Sequence, residues 1–410
     1  MSAKRPAGPA AGSAPKKWRS ADDDDDDYDD LDEMIDDEEN IAEEDMLAMM
    51  PPPEEDDTLS CLGSKDMSRL AARWKRPPLP PLDPATDSLS FQQIETDYSV
   101  SPLAPEFARD SSETRAAVIR MFGVTDAGNS VVAHVHGFRP YFYARAPPGF
   151  TPQDIPAFQA NLSAKLKAAA SAKDTTVNPI VHVALVNKQS IMHFAFGQAA
   201  PFLRIVTALP SLVATSRRTL ENGVPVPRCG SFSFETYESN WAYALRYMVD
   251  RDIVGCNWVT ATAGKWRARP WNSSDGKRIE PATHCQLEID IWFSDLESHA
   301  PDGEWLGIAP LRILSFDIEC AGRPGIFPEA EKDPVIQIAN YVSLQGQKTP
   351  VVKNVFTLKE CAPISGAQVL SFDSEAEMLR AWHQFLIDSD ADILTGYNIV
   401  NFDLPYLLNR

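Results

Sequence analysis

Two acids two residues apart, Asp317 and Glu319, stand in the apolar run Arg312-Ile-Leu-Ser-Phe-Asp-Ile-Glu-Cys320. Ile313, Leu314, Phe316 and Ile318 predict a buried strand there. Side chains at i and i+2 of a strand share a face, with Cα atoms about 7 Å apart. Two carboxylates aimed into one pocket repel by about 1 kcal/mol at 4 Å in water, and several-fold more where partly buried. The pair therefore calls for a positive partner, and a divalent cation suits it best. A bare Asp-x-Glu is common on solvated strand faces. The metal reading gains from a third carboxylate much later, Asp403 in Gly396-Tyr-Asn-Ile-Val-Asn-Phe-Asp-Leu-Pro405.

The elements that must position these acids lie in the last hundred residues. After the acid strand comes a Gly/Pro loop, Gly322 to Pro328. A second strand begins in Asp333-Pro-Val-Ile-Gln-Ile-Ala-Asn340 and a third covers Val351 to Leu358. Ser374-Glu-Ala-Glu377 is a capping box that opens a helix with Leu379, Trp382, Phe385 and Leu386 inward. Asp392-Ile-Leu-Thr395 is a short fourth strand. Three meandering strands, a helix and another strand match the RNase H-like nuclease core, in which the first strand carries acids that hold two metals. Two cations about 4 Å apart clamp a phosphodiester, one activating water and the other stabilising the departing 3′-oxygen. Mg²⁺ or Mn²⁺ suits oxygen ligands. Asp317 is expected to bridge both ions, Glu319 to help hold the water-activating one, and Asp403 to bind the second. Asp403 is placed in the first turn of a closing helix, where Pro405 is tolerated. Asn398 suits a phosphate or sugar oxygen, and the Phe402 ring suits an unpaired terminal base. A turn residue and a core ring describe them equally well. Cys320 is grouped with them as a substrate contact.

Composition sets outer bounds. A chain of 410 residues has room for two domains. The net charge of −20 is local, because residues 22–57 hold 21 of the 58 Asp and Glu and no Lys or Arg. The remainder is near neutral, which neither excludes nor argues for a nucleic-acid partner. The 6 cysteines are scattered, without a Cys-x-x-Cys pair, and read as reduced intracellular thiols. No apolar run reaches the roughly 20 residues of a membrane span, and the start lacks a hydrophobic signal core. A soluble chain that is not secreted, with no membrane partner, is expected.

Residues 1–86 are expected to form a disordered tail, ending in the Pro-rich linker Arg76-Pro-Pro-Leu-Pro-Pro-Leu-Asp-Pro84. Lys4 and Arg5, then Lys16, Lys17 and Arg19 after a ten-residue gap, match a bipartite nuclear import signal. The acid block is a solubilising tail or a dock for basic partners. From residue 87 to 309 a mixed α and β domain is expected. Its strands are Ala116–Val124, Val131–Phe138, Tyr141–Tyr143, Ile180–Val186, Phe202–Leu209 and Gln286–Phe293. One helix starts between Thr151 and Asp154, with Ile155, Phe158, Leu162 and Leu166 as its stripe. A second spans Leu212–Asn222, and a third spans Glu238–Val249 with Trp241, Leu245 and Met248 on one face. His134 and His136 share a strand face but have no third ligand nearby, so a structural pair is the plainer reading. Tyr141, Tyr143, Trp241, Trp258, Trp266 and Trp271, beside Arg139, Lys265, Arg267 and Arg269, suit base stacking. Core packing accounts for most of them as well.

Phe316-Asp-Ile-Glu-Cys-Ala-Gly322 followed by Gly325-Ile-Phe-Pro-Glu329 resembles the first exonuclease motif of family B DNA polymerases. Tyr397-Asn-Ile-Val-Asn-Phe-Asp-Leu-Pro-Tyr406 resembles the second. His134–Tyr143, Met248–Trp258 and Gln286–Asp290 resemble that family's N-terminal domain, so the likeness runs from about Leu82 to Arg410. It implies an α+β or α/β chain: a tail at 1–86, an N-terminal domain at 87–309, and at 310–410 a 3′–5′ exonuclease domain truncated after its second motif. It implies a proofreading site that removes a mispaired nucleotide from a single-stranded 3′ end, within a nuclear replicative enzyme acting on primer–template DNA. Accessory subunits and a sliding clamp are implied as partners. The family's third exonuclease motif, its polymerase domain and its cysteine-rich iron–sulfur region would lie beyond Arg410. The chain is thus expected to be about a third of such a subunit and inactive alone. A freestanding nuclease and a non-enzymatic nuclear binding module are the competing readings.

Overall fold

The computed structural model describes residues 74–102, 115–169, 178–190, 197–270 and 282–410. The import cluster Lys4, Arg5, Lys16, Lys17 and Arg19, the acid block and Trp271 lie outside them. Strands β1 (Leu89–Pro102), β2 (Arg115–Val124) and β3 (Ser130–His136) form an antiparallel meander. The turn between the last two closes as expected, with Thr125 N donating to Asn129 O and Gly128 at φ 89°. Next come β4 (Tyr141–Arg145), α1 (Ile155–Ala169), β5 (Ile180–Gln189), β6 (Ala199–Thr207), α2 (Ser211–Glu221), the hairpin β7 (Val224–Val226) and β8 (Gly230–Phe232), and β9 (Thr236–Tyr237). A 3₁₀ turn at Pro152–Asp154 precedes α1. Strands in the order β5-β6-β4-β9 form a sheet. Phe142, Leu203 and Ile205 of that sheet meet Phe158 and Leu162 of α1 and Leu220 of α2 in one core. The chain then adds α3 (Tyr243–Asp250), β10 (Trp258–Ala261), β11 (Trp266–Ala268), β12 (Leu287–Trp292) and β13 (Leu296–Ser298). These strands extend the first meander to seven, in the order β11-β12-β3-β2-β1-β10-β13, with β12 parallel to β3.

The last unit is a five-stranded sheet. β14 (Arg312–Cys320), β15 (Val335–Leu344) and β16 (Val352–Leu358) meander antiparallel. β17 (Gln368–Phe372) then runs parallel to β16 at the outer edge. After α4 (Glu375–Ser389), β18 (Ile393–Thr395) lies parallel to β14, and α5 (Asp403–Asn409) closes the chain. The expected RNase H-like arrangement is present, with β17 as an addition. Helix α4 starts where its cap predicts, the Ser374 side chain accepting from Glu377 N. Its Met378, Trp382 and Phe385 cover Leu314, Phe316, Ile318, Ile338 and Phe356. A buried polar chain runs through this core, Trp382 Nε1 donating to Asn340 Oδ1 at 2.9 Å and Asn340 Nδ2 to Asn354 Oδ1 at 3.0 Å.

Three expectations need correction. The expected disordered tail at 1–86 is too long, because Trp74 is buried and Leu79 and Leu82 pack on the core. The helix after Glu238 begins only at Tyr243, because Glu238 sits at φ 54°, outside helical space. Its inward face is Tyr243 and Tyr247, whose rings meet Phe138 at 5.7 and 5.3 Å. These two rings take the core, and Trp241 and Leu245 are left 42% and 51% exposed. Finally, β14 is not buried throughout: Leu314, Phe316 and Ile318 face α4, while Asp317 and Glu319 are exposed on the other side. Among the described residues, no helix is long and apolar enough to cross a membrane.

Candidate active site

β18 runs beside Ile313–Ser315 only, so the edge of β14 is open beyond Ser315. An open strand edge leaves backbone donors that need partners. The Asp403 carboxylate takes one of them, Oδ1 accepting from Ile318 N at 3.0 Å. This brings the buried Asp403 side chain within hydrogen-bonding reach of Asp317. Two of the three predicted acids, 86 positions apart in numbering, therefore meet at the open end of the sheet. Glu319 lies two residues along the same exposed face. Among the described residues, no three His, Cys, Asp or Glu side chains come together closely enough to hold a metal ion, so the contact is between Asp317 and Asp403.

The turn that delivers Asp403 is built around Gly396 and Ile399. A Cβ on Gly396 would lie 2.3 Å from the Phe316 carbonyl oxygen, so the chain leaves β18 in direct contact with the acid strand. Asn398 stands at φ 53°, a left-handed position that Asn tolerates. Its carbonyl accepts from the N–H groups of Asn401 and Phe402, and its Oδ1 accepts from Asn401 Nδ2. The Ile399 carbonyl accepts from Leu404 N, and the Ile399 side chain is buried in the core below. Asp403 then opens α5, with Pro405 in its first turn as expected.

Burial is the largest influence on Asp403 and raises its pKa above the usual carboxylate range. The Ile318 N–H opposes that rise, and the nearby Asp317 carboxylate adds to it. Such an acid holds a proton or welcomes a cation. Cys320, half-buried at the end of β14, has its thiol pushed up by burial, and the hydroxyl of Tyr406 on α5 hydrogen-bonds to it. The same hydroxyl donates to the Asp333 carbonyl at 2.7 Å, which pins α5 to the start of β15. Arg410 completes the pin with two bonds to Glu375, at 2.6 and 2.7 Å.

Phe402 is half-buried, its ring 5.2 Å from that of Phe327 and 5.4 Å from that of Tyr406. Phe327, beside Phe402, is 74% exposed, and Tyr397, in the turn that leads to Asp403, is 88% exposed. Phe327 is held there by a braced loop: Arg323 Nε donates to Asp333 Oδ1 at 2.9 Å, and Glu329 N donates to Asp333 Oδ2 at 2.8 Å. Sequence reasoning passed over Gly396, Phe327 and Tyr397. A glycine directly after a short strand, and an aromatic in a Gly/Pro loop, were the available signals.

Other candidates lie elsewhere. His134 Nε2 meets Glu288 at 3.2 Å and His136 Nε2 meets Asp290 at 2.7 Å, pairing β3 with β12 through buried side chains. Burial, helped by Arg269, pushes the His134 pKa down to about 4. Asp290 is held well below the carboxylate range: burial alone would raise it, but His136 and Arg269 outweigh that. Arg267 and Arg269 both pair with Asp290. Tyr141, Tyr143, Trp258 and Trp266 are buried, and the Arg246 guanidinium lies 4.8 Å from the Trp241 ring. The four buried rings serve packing rather than a base-stacking platform.

Comparison with known proteins agrees with this geometry. Residues 234–410 match DNA polymerase family B, exonuclease domain. The chain is 47% identical over 350 residues to a DNA polymerase delta catalytic subunit of Bos taurus, covering 85% of this chain and 31% of that protein. It is 49% identical over 346 residues to the Oryza sativa subsp. japonica protein of the same name, covering 84% and 30%. Among solved structures, the family B DNA polymerase from the hyperthermophilic archaeon Pyrobaculum calidifontis is similar, with a TM-score of 0.51 and 25% identity over 78% of this chain and 32% of that one. The chain thus spans about a third of the length of these relatives. Its sheet order, its paired acids and these matches agree: residues 234–410 belong to the exonuclease domain of DNA polymerase family B.

Proposed function

We propose that the chain carries the 3′–5′ proofreading exonuclease site of a replicative, delta-type DNA polymerase catalytic subunit. It would hydrolyse a mispaired nucleotide from a single-stranded 3′ end. The observation that supports this most is the contact between Asp317 and Asp403 at the open end of β14, with Glu319 on the same face. A buried acid beside a second carboxylate fits a hard divalent cation, and the oxygen donors suit Mg²⁺ or Mn²⁺. Asp317, Glu319 and Asp403 would hold it, and when bound it would activate water and stabilise the departing 3′-oxygen. The remaining residues orient the strand. Phe402 and Phe327 offer faces for an unpaired base, the Asn398 amide offers a donor to phosphate or sugar oxygen, and Cys320 lines the floor beside Tyr406. The Gly396 turn holds Asp403 against Asp317. Template-directed synthesis, action in the nucleus, the import role of the basic cluster, and partnership with accessory subunits and a sliding clamp belong to the same reading.

Mn²⁺ binding to the 410-residue chain tests this site. Parent protein is expected to bind Mn²⁺ in a form that Mg²⁺ displaces, and both Asp317→Ala and Asp403→Ala should weaken binding at least about tenfold. Removal of nucleotides from 3′-labelled single-stranded DNA is expected to be slow, Mg²⁺-dependent and lost in Asp317→Ala. Absence of divalent binding by the parent, or cleavage that survives Asp317→Ala, would overturn the assignment.

A further inference from the structure

Trp74 to Pro77 joins three distant parts of the chain. The Trp74 indole N–H donates to the Ser389 carbonyl at the end of α4, and the Arg312 guanidinium lies 4.5 Å from the Trp74 ring centroid. Arg76 Nε donates to Asp390 Oδ2 at 2.6 Å, and its Nη2 donates to Asp392 Oδ1 at 2.5 Å and to the Asp390 carbonyl at 2.9 Å. Arg76 Nη1 donates to the Gly128 carbonyl at 3.1 Å, in the turn between β2 and β3. The Pro77 carbonyl accepts from Asn129 Nδ2 at 2.7 Å and Gln286 Nε2 at 2.8 Å. The Arg76 and Asp392 side chains are only 4% and 5% exposed. Asp392 also accepts from Arg312 N at 2.8 Å, on the acid strand itself.

The segment held in this way needs holding. Asp390 ends α4 at φ 44°, and β18, which starts at Ile393, has only three residues beside β14. So short a strand contributes little pairing of its own. It leads directly to Gly396 and the turn that carries Asp403. We propose that Trp74–Pro77 is a strap that fixes the Ser389–Asp392 turn, and that Trp74 and Arg76 are positioning residues for β18 and the Gly396–Asp403 turn. Its bearing on hydrolysis rests on the nuclease reading; the strap itself does not. Two arginines and two aspartates share the site, so removing Arg76 leaves a buried carboxylate short of its partner.

Hydrogen exchange measured on the 410-residue chain tests the strap without DNA or cation, so its failure is distinct from failure of the nuclease assignment. Arg76→Ala should speed exchange of the amides at residues 390–403 about tenfold or more, with β15, β16 and the four-stranded sheet unchanged. Arg76→Lys keeps the charge but loses the fork, and should fall between. Trp74→Phe, which removes the donor to Ser389 and part of the ring beside Arg312 but keeps the Arg76 bonds, should loosen the same residues more weakly and serves if Arg76→Ala does not fold. Unchanged exchange at 390–403 in Arg76→Lys and Trp74→Phe would overturn the strap. So would acceleration spread evenly over the chain, since that marks general loss of stability.

Discussion

Asp403 is the residue on which the site turns, and its chemistry makes a signed prediction. Folding raises its pKa, so the folded chain keeps the proton longer than the unfolded chain does. Stability from this group is complete below the ordinary carboxylate range and is lost as pH rises through the raised folded value. In chelator, the unfolding midpoint of the parent should therefore fall, relative to that of Asp403→Asn, as pH rises above the ordinary carboxylate range. The amide keeps the bond from Ile318 N, can donate to Asp317 and carries no charge to be desolvated, so it should gain at neutral pH. Superimposable pH curves would refute it. His134 has the opposite sign. Its folded value of about 4 lies below the usual 6.5, so stability is present above pH 6.5 and drains away as pH falls toward 4. His134→Gln should flatten that acid arm in a urea titration series, leaving the Asp403 effect in place.

At the level of elements, the Gly396 turn is tighter than any substitution allows. Gly396→Ala places a methyl group against the Phe316 carbonyl and should cost about 1–3 kcal/mol or push the turn off β14. Thermal melting reads the first outcome, and loss of Mn²⁺ affinity reads the second. Little of this contact was legible in the sequence, because close approach of two backbones leaves no periodicity. The acid strand, the capped helix α4 and the closing helix were legible, since alternation, the Ser374 cap and Pro405 are local signals. What escaped was decided at long range. Tyr243 and Tyr247 took the core from Trp241 and Leu245 because Phe138, a hundred residues earlier in the chain, offers them its ring. Strand β17 escaped because its half-buried residues carry neither a clean alternation nor a fully apolar run. Arg76 looked like one end of a Pro-rich linker until Asp390 and Asp392 came beside it.

At the scale of the whole chain, divalent cation should act as a stabiliser as well as a cofactor. A ligand that binds only the folded state at a hundred times its dissociation constant adds about 2.7 kcal/mol. Saturating Mn²⁺ is expected to raise the unfolding midpoint of the parent and to raise that of Asp317→Ala clearly less, read by scanning calorimetry. The parallel pairing of β3 with β12 has a different consequence, one of timing. The four-stranded sheet between Tyr141 and Tyr237 is contiguous in the chain. It can finish as it leaves the ribosome, while β3 still lacks the neighbour whose Glu288 and Asp290 pair with His134 and His136. Synthesis must continue through Trp292 before that edge is covered. Until then one edge of β3 waits open, so the interval between residues 136 and 292 is one in which an unpaired strand edge is exposed to wrong partners.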